Sequence, residues 1–428
     1  MEDALLLARV QFGLNIGFHI LFPSITIGLS WLLAYARLRY QTSRDPAWLE
    51  TYRLWVKVFA LSFSVGVVTG IVMSFQFGTN WPGFMIKVGA VAGPLLAYEV
   101  LTAFLFEATF LGVMLFGMER VPGWLHVVST LVVAVGTTVS AFWILALNSW
   151  MQTPAGFATD PTGMIVPASW LAVIFNPSFP WRFAHMVLAS AITAAFLIAG
   201  LAAWRLLATP EHAGARTSLR MGAHVAAVLV PLQIFVGDQH GLNTLEHQPA
   251  KVAAIEALWH TERGAPLTLF ALIDEKAGEN RFALVVPKAA SLILTHSLEG
   301  EIRGLDAFGG DHPPVTPVFL AFRVMVGLGF AMLLAAWAGS LVLRKATPRW
   351  LLWTFVLFTF SGWLALLSGW IVTEVGRQPW LVTGILRTAD AAGQAGPAHL
   401  GASLTAYVLT YLALLIAYVV TIFHMARK

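Results

Sequence analysis

The sequence has no cysteine, and only 11% of its 428 residues are charged. Without cysteine, the chain holds no disulfide, no cysteine-ligated zinc ion and no iron–sulfur cluster of its own. A bound metal must therefore be held by histidine, methionine or carboxylate side chains. The net charge of +4 is small and scattered along the chain, so the composition does not favour nucleic acid as a partner.

Hydrophobic residues make up 58% of the chain. Soluble domains carry roughly 25% charged residues, far more than this chain, so lipid must surround most of it. The 17 tryptophans and 29 phenylalanines suit interfacial belts and flat cofactors packed between helices. Because no basic segment precedes the apolar stretch Leu14–Tyr35, and because that stretch is too long for the core of a cleaved signal, we expect a retained first helix.

Apolar stretches long enough to cross a membrane recur along the whole sequence. A transmembrane helix needs about 20 mostly apolar residues, and a backbone in lipid must satisfy its polar groups internally, which favours helices. We therefore predict an all-α membrane protein of about nine transmembrane helices, of which the sixth is the shortest. The stretches cover residues 12–36, 58–78, 91–117, 125–147, 183–204, 221–237, 318–343, 350–375 and 402–424.

Lysine and arginine in the short loops predict the orientation of these helices, because such residues are enriched on the inner side of a membrane. With the N-terminus outside, 14 of them fall inside and 5 outside. The inner set includes Arg427 and Lys428 at the end of the chain. We therefore expect the N-terminus outside and the C-terminus inside.

One long polar segment, residues 238–317, then lies outside the membrane. It separates the first six helices (1–237) from the last three (318–428). Its pattern predicts an amphipathic helix over Lys251–Thr261 and a short strand over Arg281–Val286. A segment of this length without membrane helices is usually functional or disordered.

Several ionisable groups fall inside the predicted helices, where they are costly and usually functional. Most of them share the outer half of the membrane although they come from different helices, which chance scatter would not favour. Glu99 and Glu107 lie eight residues apart on helix three, about 12 Å along its axis and roughly on one face. The whole set is His19, Glu99, Glu107, His185 and Glu374, joined by Met325 at the start of helix seven.

Each of these residues also has a structural explanation. A single histidine near a membrane interface is more often a hydrogen-bonded structural residue, and a methionine on an apolar helix is usually part of the core. Glu374 can pair with Arg377, and Glu99 with Glu107 would serve a proton-coupled transporter equally well. Composition alone therefore leaves open a haem protein, a transporter without haem, and a diheme-type module that passes electrons without reducing oxygen.

Longer strings distinguish between these classes. They occur in order from the first predicted helix to the last: 8–13 (Ala-Arg-Val-Gln-Phe-Gly), 78–82 (Gly-Thr-Asn-Trp-Pro), 148–154 (Asn-Ser-Trp-Met-Gln-Thr-Pro), 251–256 (Lys-Val-Ala-Ala-Ile-Glu), 369–370 (Gly-Trp) and 374–380 (Glu-Val-Gly-Arg-Gln-Pro-Trp). On these strings the chain resembles subunit I of the cytochrome bd-type quinol oxidase family. Its short outer segment resembles the short-loop branch, which includes the cyanide-insensitive oxidases.

The resemblance implies three haems, with quinol and dioxygen as substrates. His185 and Met325 look like the axial ligands of a low-spin haem b, with Arg323 supporting that haem electrostatically. Methionine/histidine ligation raises a haem's potential, which suits an acceptor of electrons from quinol. His19 looks like the ligand of haem d, which a third haem b can replace in the short-loop branch. Glu374 looks like the ligand of a high-spin haem b.

The resemblance also implies roles for residues around the haems. Lys251 and Glu256 match quinol-contacting positions, where a carboxylate can take a proton and a cation can steady the developing oxyanion. Glu99 and Glu107 would deliver protons to the oxygen site. Trp370 would pack between cofactors.

Further expectations concern Arg377 as a cofactor-binding residue and an inner proton route through Lys57 and Glu119. As partners the resemblance implies a second membrane subunit, subunit II, and in some members a small single-helix subunit. The expected location is the bacterial cytoplasmic (inner) membrane. Quinol protons would leave outside and consumed protons would enter from inside, so charge separation alone would generate a proton gradient.

Overall fold

The structure, a computed structural model, describes residues 2–427. Within this range nine helical spans are long and apolar enough to cross a membrane, which confirms the predicted number and the all-α class. Lys428, counted above among the inner cations, lies outside the described residues. The spans are α1 (Glu2–Ser43), α2 (Pro46–Thr79), α3 and α4 (Pro82–Glu99 and Leu105–Phe116), α5 (Gly123–Gln152), α7 (Phe179–Ala208), α8 (Ala213–His247), α11 (Val315–Val342), α12 and α13 (Arg349–Leu357 and Ser361–Val375) and α15 (Pro397–Arg427).

Short elements fill the connections between the spans. Four helices lie outside them: α6 (Trp170–Ile174), α9 (Pro249–Glu256), α10 (Ala289–Thr295) and α14 (Thr388–Ala391). The strands are β1 (Phe157–Thr159), β2 (Ile165–Pro167), β3 (Glu262–Arg263), β4 (Leu267–Asp274), β5 (Glu279–Val286), β6 (Glu301–Ile302), β7 (Trp380–Val382) and β8 (Leu386–Arg387). They form two-stranded antiparallel sheets, β1 with β2, β3 with β6, β4 with β5, and β7 with β8.

The helices begin where capping residues and prolines place them. Asp45 caps α2, because its carboxylate accepts a hydrogen bond from the Ala47 amide at 2.9 Å. Pro46 follows in the first turn, where a missing amide hydrogen has no helical partner to lose. Such polar ends explain why most spans extend beyond the apolar stretches that predicted them.

Two of the spans are interrupted. The third contains a π-helical turn, Val100–Phe104, between α3 and α4. The eighth breaks between α12 and α13, where the helix of Arg349–Leu357 ends before Ser361 starts the next. A π-turn inside an α-helix is rare and often marks a functional position.

The sixth span is longer than the sequence predicts. The apolar stretch stops at residue 237, whereas α8 continues to His247. The polar residues Asp238, Gln239 and His240 therefore lie on a helix and not in a loop. The helix persists because one of its faces stays packed against α7, so it needs no lipid-facing apolar residues there.

Small residues hold the centre of the bundle together. Helix α7 is buried along most of its length, with alanines such as Ala195 and Ala199 fully enclosed. A Cβ at Gly222 of α8 would lie 2.5 Å from the carbonyl oxygen of Ala195, so the two backbones approach closely only because Gly222 has no side chain. By contrast, α2, α3–α4 and α15 expose many large apolar side chains.

The extramembrane segment between α8 and α11 holds α9, α10 and strands β3 to β6. The helix predicted over Lys251–Thr261 exists as α9, but it ends at Glu256 because Ala257 adopts a left-handed φ of 51°. It is not amphipathic, since every residue from Lys251 to Glu256 is buried. The strand predicted over Arg281–Val286 is confirmed as part of β5.

Candidate functional site

His19 on α1 has the hydrogen-bond pattern of a ligating imidazole. Its Nδ1 lies 3.0 Å from the hydroxyl of Thr69 on α2, and that hydroxyl in turn donates to the Val65 carbonyl at 2.8 Å. Because the hydroxyl hydrogen is committed, Nδ1 is assigned as the donor, which leaves the Nε2 lone pair for a metal. Histidines that bind metals usually donate their other ring N–H in this way. A Cβ at Gly70 would lie 3.1 Å from His19 Cε1, so glycine leaves room for the ring.

His185 on α7 is half-buried and faces α8. Its Nδ1 has no hydrogen-bond partner in the described part of the chain. A Cβ at Gly237 would lie 3.3 Å from His185 Cε1. The ring of His240, one turn further along α8, lies with its centroid 5.6 Å from that of His185. His240 is not among the candidate residues predicted from the sequence, because the apolar stretch ends at residue 237 and hydropathy places His240 in a loop.

Met325 and Arg323 lie near the start of α11. A Cβ at Gly369 of α13 would lie 3.0 Å from the Met325 sulfur, so a glycine stands beside this candidate ligand as it does beside His19 and His185. Arg323 donates two hydrogen bonds to the segment between α8 and α11. Its Nη2 lies 2.8 Å from a Glu256 carboxylate oxygen, and its Nε lies 2.6 Å from the Thr268 carbonyl oxygen. Arg323, predicted to support the low-spin haem, and Glu256, predicted to contact quinol, therefore form one ion pair.

Glu374, near the C-terminal end of α13, accepts hydrogen bonds on both carboxylate oxygens. Arg377, one turn further along the chain, forms an ion pair with one oxygen, and the Asn148 amide donates to the other at 2.9 Å. Arg182 of α7 reaches the same Asn148 side chain at 3.4 Å. Trp370, one turn before Glu374, is partly buried and packs against an apolar cluster where α5 and α7 meet.

Lys251 joins this cluster from the extramembrane side. Its ammonium group donates to the Gln152 side chain at 2.6 Å, to the Gln248 side chain at 2.9 Å and to the Thr373 carbonyl at 3.3 Å. Burial, with Arg182 and Arg377 close by, lowers the pKa of Lys251 well below its usual range. Its three acceptors are neutral, so no carboxylate compensates its charge directly.

Lys251 and Glu256, predicted together as quinol contacts, point in different directions. Five residues along a helix correspond to about 140° of rotation, so the two side chains leave α9 on different sides. Lys251 faces α5 and α13, whereas Glu256 faces Arg323 on α11. Burial raises the pKa of Glu256, and Arg323 opposes that shift.

The cluster around Glu374 has an excess of buried positive charge. Three cationic residues, Arg182, Arg377 and Lys251, surround this one carboxylate, and all three are buried. Among residues 2–427, Arg182 Nε and Arg377 Nε and Nη1 find no acceptor. Buried charges of this kind need compensation, and the two propionates of a haem are anions that would supply it. Arg182 is one of the five cations that the sequence places on the outer side, and its position three residues before His185 was the signal that could have identified it.

The candidate ligands stand singly and not in a cluster. Within the described residues, no group of three or more histidine, cysteine, aspartate or glutamate side chains could hold a bare metal ion. An iron in a haem needs only one or two protein ligands, because the macrocycle supplies the rest. The donor set, the glycines beside it and the unpaired guanidinium groups therefore fit haem.

Glu99 and Glu107 both face α5. The Ser140 hydroxyl donates to Glu99 at 2.7 Å, and a Cβ at Gly136, one turn before Ser140, would lie 2.8 Å from Glu107 Cγ. Eight residues of regular α-helix turn through about 800°, which is about 80° beyond two full turns. The wider π-turn Val100–Phe104 takes up much of this excess and so directs both carboxyl groups to one stripe of α5.

The residues predicted for the inner proton route are not brought together. Glu119 is largely exposed and pairs with Arg53 at 3.1 Å. Lys57, one turn beyond Arg53 on α2, is exposed and makes no side-chain hydrogen bond or ion pair to the part of the chain that the structure describes.

The described residues form nine apolar spans that carry single imidazole, thioether and carboxylate side chains close to unpaired buried cations. These are the features of a membrane-embedded haem protein. The sequence of residues 7–428 matches the family model described as cytochrome bd terminal oxidase subunit I. The chain therefore belongs to the cytochrome bd terminal oxidase subunit I family. Membership in this family argues against the transporter and the diheme electron-transfer module that composition left open.

Named relatives agree with this membership. The chain is 36% identical to cytochrome bd ubiquinol oxidase subunit 1 of Bacillus subtilis strain 168, over 90% of this chain and 85% of that one. It is 32% identical to cytochrome bd-II ubiquinol oxidase subunit 1 of Escherichia coli K12, over 100% and 97% of the two chains. The solved bd oxidase of Geobacillus thermodenitrificans superposes with a TM-score of 0.92 at 32% identity, covering 99% of this chain and 98% of that one.

Proposed function

We propose which residues of this member of a terminal oxidase family bind the haems, contact quinol and hold protons while quinol is oxidised and dioxygen is reduced to water. The overall reaction converts two quinols and one dioxygen into two quinones and two waters. The haems, when bound, supply the electron transfer and the oxygen chemistry. The protein contributes axial ligands, compensating charges and groups that hold protons, and these residues are assigned below.

His185 and Met325 would hold a low-spin haem b as its two protein ligands. His19 is assigned to haem d, or to a third haem b in its place, and Glu374 to a high-spin haem b. Support for these roles comes from the free Nε2 of His19 and from the glycine beside each of the three non-carboxylate ligands. Trp370, one turn before Glu374, is assigned a place between the cofactors.

The buried cations near Glu374 are assigned to the haem propionates. Arg182 and Arg377 carry unpartnered guanidinium nitrogens, and Lys251 adds a third basic group, whose protonation an anionic cofactor would favour. These groups would hold an anionic cofactor in place and exclude water from it. This unpaired charge is the observation that supports the haem site most strongly.

Quinol is assigned to the predicted outer segment, residues 238–317, of which residues 248–314 lie between α8 and α11 and include α9. Quinol oxidation releases two protons, and Glu256 is the group placed to accept one, because its raised pKa favours the protonated form once the proton arrives. Arg323, at 2.8 Å, keeps the carboxylate ionised before that event. Lys251 lies on the other side of α9, where it lines the boundary between the quinol segment and the Glu374 cluster.

Protons consumed in the reduction of dioxygen are assigned to Glu99 and Glu107. Both carboxyl groups lie against α5, and Glu107 Oε1 is buried without a hydrogen-bond partner among residues 2–427. Lys57 and Glu119 are proposed for the inner entrance of this route. With the N-terminus outside, proton release outside and proton uptake from inside would generate a gradient without a pump.

The chain is proposed to work in the bacterial inner membrane with subunit II as a separate membrane chain, and with a small single-helix subunit where one is present. The large apolar side chains exposed on α2, α3–α4 and α15 support such a partner. Val68 and Phe75, for example, leave α2 at 60% and 71% exposure.

The first test is a dithionite-reduced minus air-oxidised spectrum of the purified complex, recorded before and after addition of carbon monoxide. Haem b bands with a far-red chlorin band and a carbon monoxide shift would support haem d. A carbon monoxide shift without the chlorin band would support a third haem b. The absence of haem, with the partner subunit present, would contradict the proposal, as would a lack of quinol-driven oxygen uptake.

Two variants test individual assignments. His185→Ala should remove the low-spin haem b spectrum, and an unchanged spectrum would contradict that ligand. Arg182→Gln should weaken retention of the haem near Glu374 by about 10- to 100-fold, because a hydrogen bond to a charged group contributes about 1.5–3 kcal/mol. The matched control is Arg387→Gln, which removes an exposed cation paired with Asp311 at 3.1 Å.

A further inference from the structure

A cationic cavity lies at the end of the bundle opposite Glu374, where the α7–α8 and α11–α12 connections meet. Its volume is about 400 Å³. The cavity is called here the α7–α12 pocket. Its lining residues include Leu206, Arg216, Arg220, Lys345, Arg349 and Leu352.

The pocket has more positive charge than the chain itself compensates. Arg216 is paired with Glu211 at 2.9 Å. Arg220, Lys345 and Arg349 are exposed and make no side-chain hydrogen bond or ion pair within residues 2–427. Enrichment of cations on the inner side explains their presence in these loops, but it does not require them to converge on one cavity.

The other side of the pocket is apolar and continues toward lipid. Leu206 and Leu352 line it and are 1% and 4% exposed. Next to Arg349, helix α12 presents Trp350, Trp353 and Leu357 outward, at 57%, 51% and 80% exposure. Residues spaced by three and four positions share one face of a helix, so these side chains form a stripe that starts beside the pocket.

We propose that the α7–α12 pocket binds an anionic phospholipid. The phosphate would lie among Arg220, Lys345 and Arg349, and the acyl chains would follow the stripe on α12. Basic pockets between transmembrane helices are suited to anionic head groups, and tryptophan favours the level of the head groups. Inorganic phosphate shares the head-group chemistry but has no chains to use the stripe. The proposal is independent of the oxidase assignment.

The test is native mass spectrometry of the purified complex with phosphatidylglycerol, phosphatidylcholine or inorganic phosphate. The variant Arg220→Gln/Arg349→Gln removes two charges from the pocket, and Arg120→Gln/Arg344→Gln removes two exposed charges from connections at the same end. The pocket variant should bind phosphatidylglycerol about thirtyfold more weakly, since each cation near an anionic surface contributes about 1 kcal/mol. The control variant should bind it as the unmodified complex does.

Three results would overturn the proposal. Equal loss in both double variants would mean that general surface charge attracts the lipid. Equal binding of phosphatidylcholine would mean that the head-group charge is irrelevant. A third result combines two measurements: millimolar inorganic phosphate displaces phosphatidylglycerol, and Trp353→Ala binds phosphatidylglycerol as tightly as the unmodified complex does. That result would mean that the pocket takes free phosphate. All the altered residues are exposed, and an unchanged visible spectrum checks that each variant has folded.

Discussion

The ion pair between Arg323 and Glu256 should set the acid limb of quinol oxidation. Both side chains are largely buried, at 15% and 7% exposure, and the pair closes at 2.8 Å. Burial raises the pKa of Glu256, and the guanidinium group lowers it. Removing Arg323 therefore removes the opposing influence, so the carboxyl group holds its proton to higher pH. A protonated Glu256 cannot accept a proton from quinol, and the rate should fall at neutral pH and recover at alkaline pH.

The size of this effect follows from the contact. A hydrogen bond to a charged group contributes about 1.5–3 kcal/mol, which changes the ratio of ionised to protonated carboxyl by about 10- to 100-fold. Arg323→Gln should therefore move the acid limb of the rate profile upward by about one to two pH units. Arg323→Lys keeps the charge and should restore part of the shift.

The assay is the initial rate of quinol-driven oxygen uptake from about pH 5 to pH 9 at saturating quinol. Arg387→Gln is the matched control, because it breaks an exposed ion pair on the same side and should leave the limb unchanged. Met325 lies two residues after Arg323 in the sequence. The low-spin haem spectrum of each variant therefore shows whether the substitution has left the surroundings of Met325 unchanged. An acid limb that stays in place in Arg323→Gln, with that spectrum intact, would refute Glu256 as the proton acceptor.

Two further substitutions test positions beside proposed ligands. Thr69→Val removes the acceptor of the His19 N–H and should weaken binding of its haem by about 10- to 100-fold; equal haem content would contradict the assigned tautomer. Gly136→Ala places a methyl group 2.8 Å from Glu107 Cγ, and overpacking of this kind destabilises by about 1–3 kcal/mol, so oxygen uptake should fall while haem content is kept. Gly112→Ala, with open space around it, should leave oxygen uptake unchanged.

The membrane spans could be predicted from the sequence because lipid imposes a length and a composition that few other segments share. Their ends could not, since capping groups and tertiary packing decide them. His240 shows the consequence: the apolar stretch ends before it, yet packing against α7 continues the helix and places its imidazole beside His185. A prediction based on hydropathy has no access to that packing.

The candidate site was predictable in part. The ligand positions followed from a family resemblance and from polar residues at a shared depth, and they remain predictions. The pairing of Arg323 with Glu256 and the divergence of Lys251 from Glu256 depend on how α9 sits between α8 and α11, which no spacing in the sequence reveals. The π-turn that aligns Glu99 with Glu107 is equally hidden, because the residues Val100–Phe104 are ordinary for a membrane helix.

The buried cations around Glu374 bear on how the chain matures. Before an anionic cofactor arrives, Arg182, Arg377 and Lys251 face one another with only one carboxylate between them, and mutual repulsion opposes the closing of α7, α9 and α13 onto the cluster. Cofactor insertion is then a step of folding and not a late addition. Cells starved of haem should accordingly contain less of this chain, because a loosened, protease-sensitive form would be removed by quality control before it could assemble.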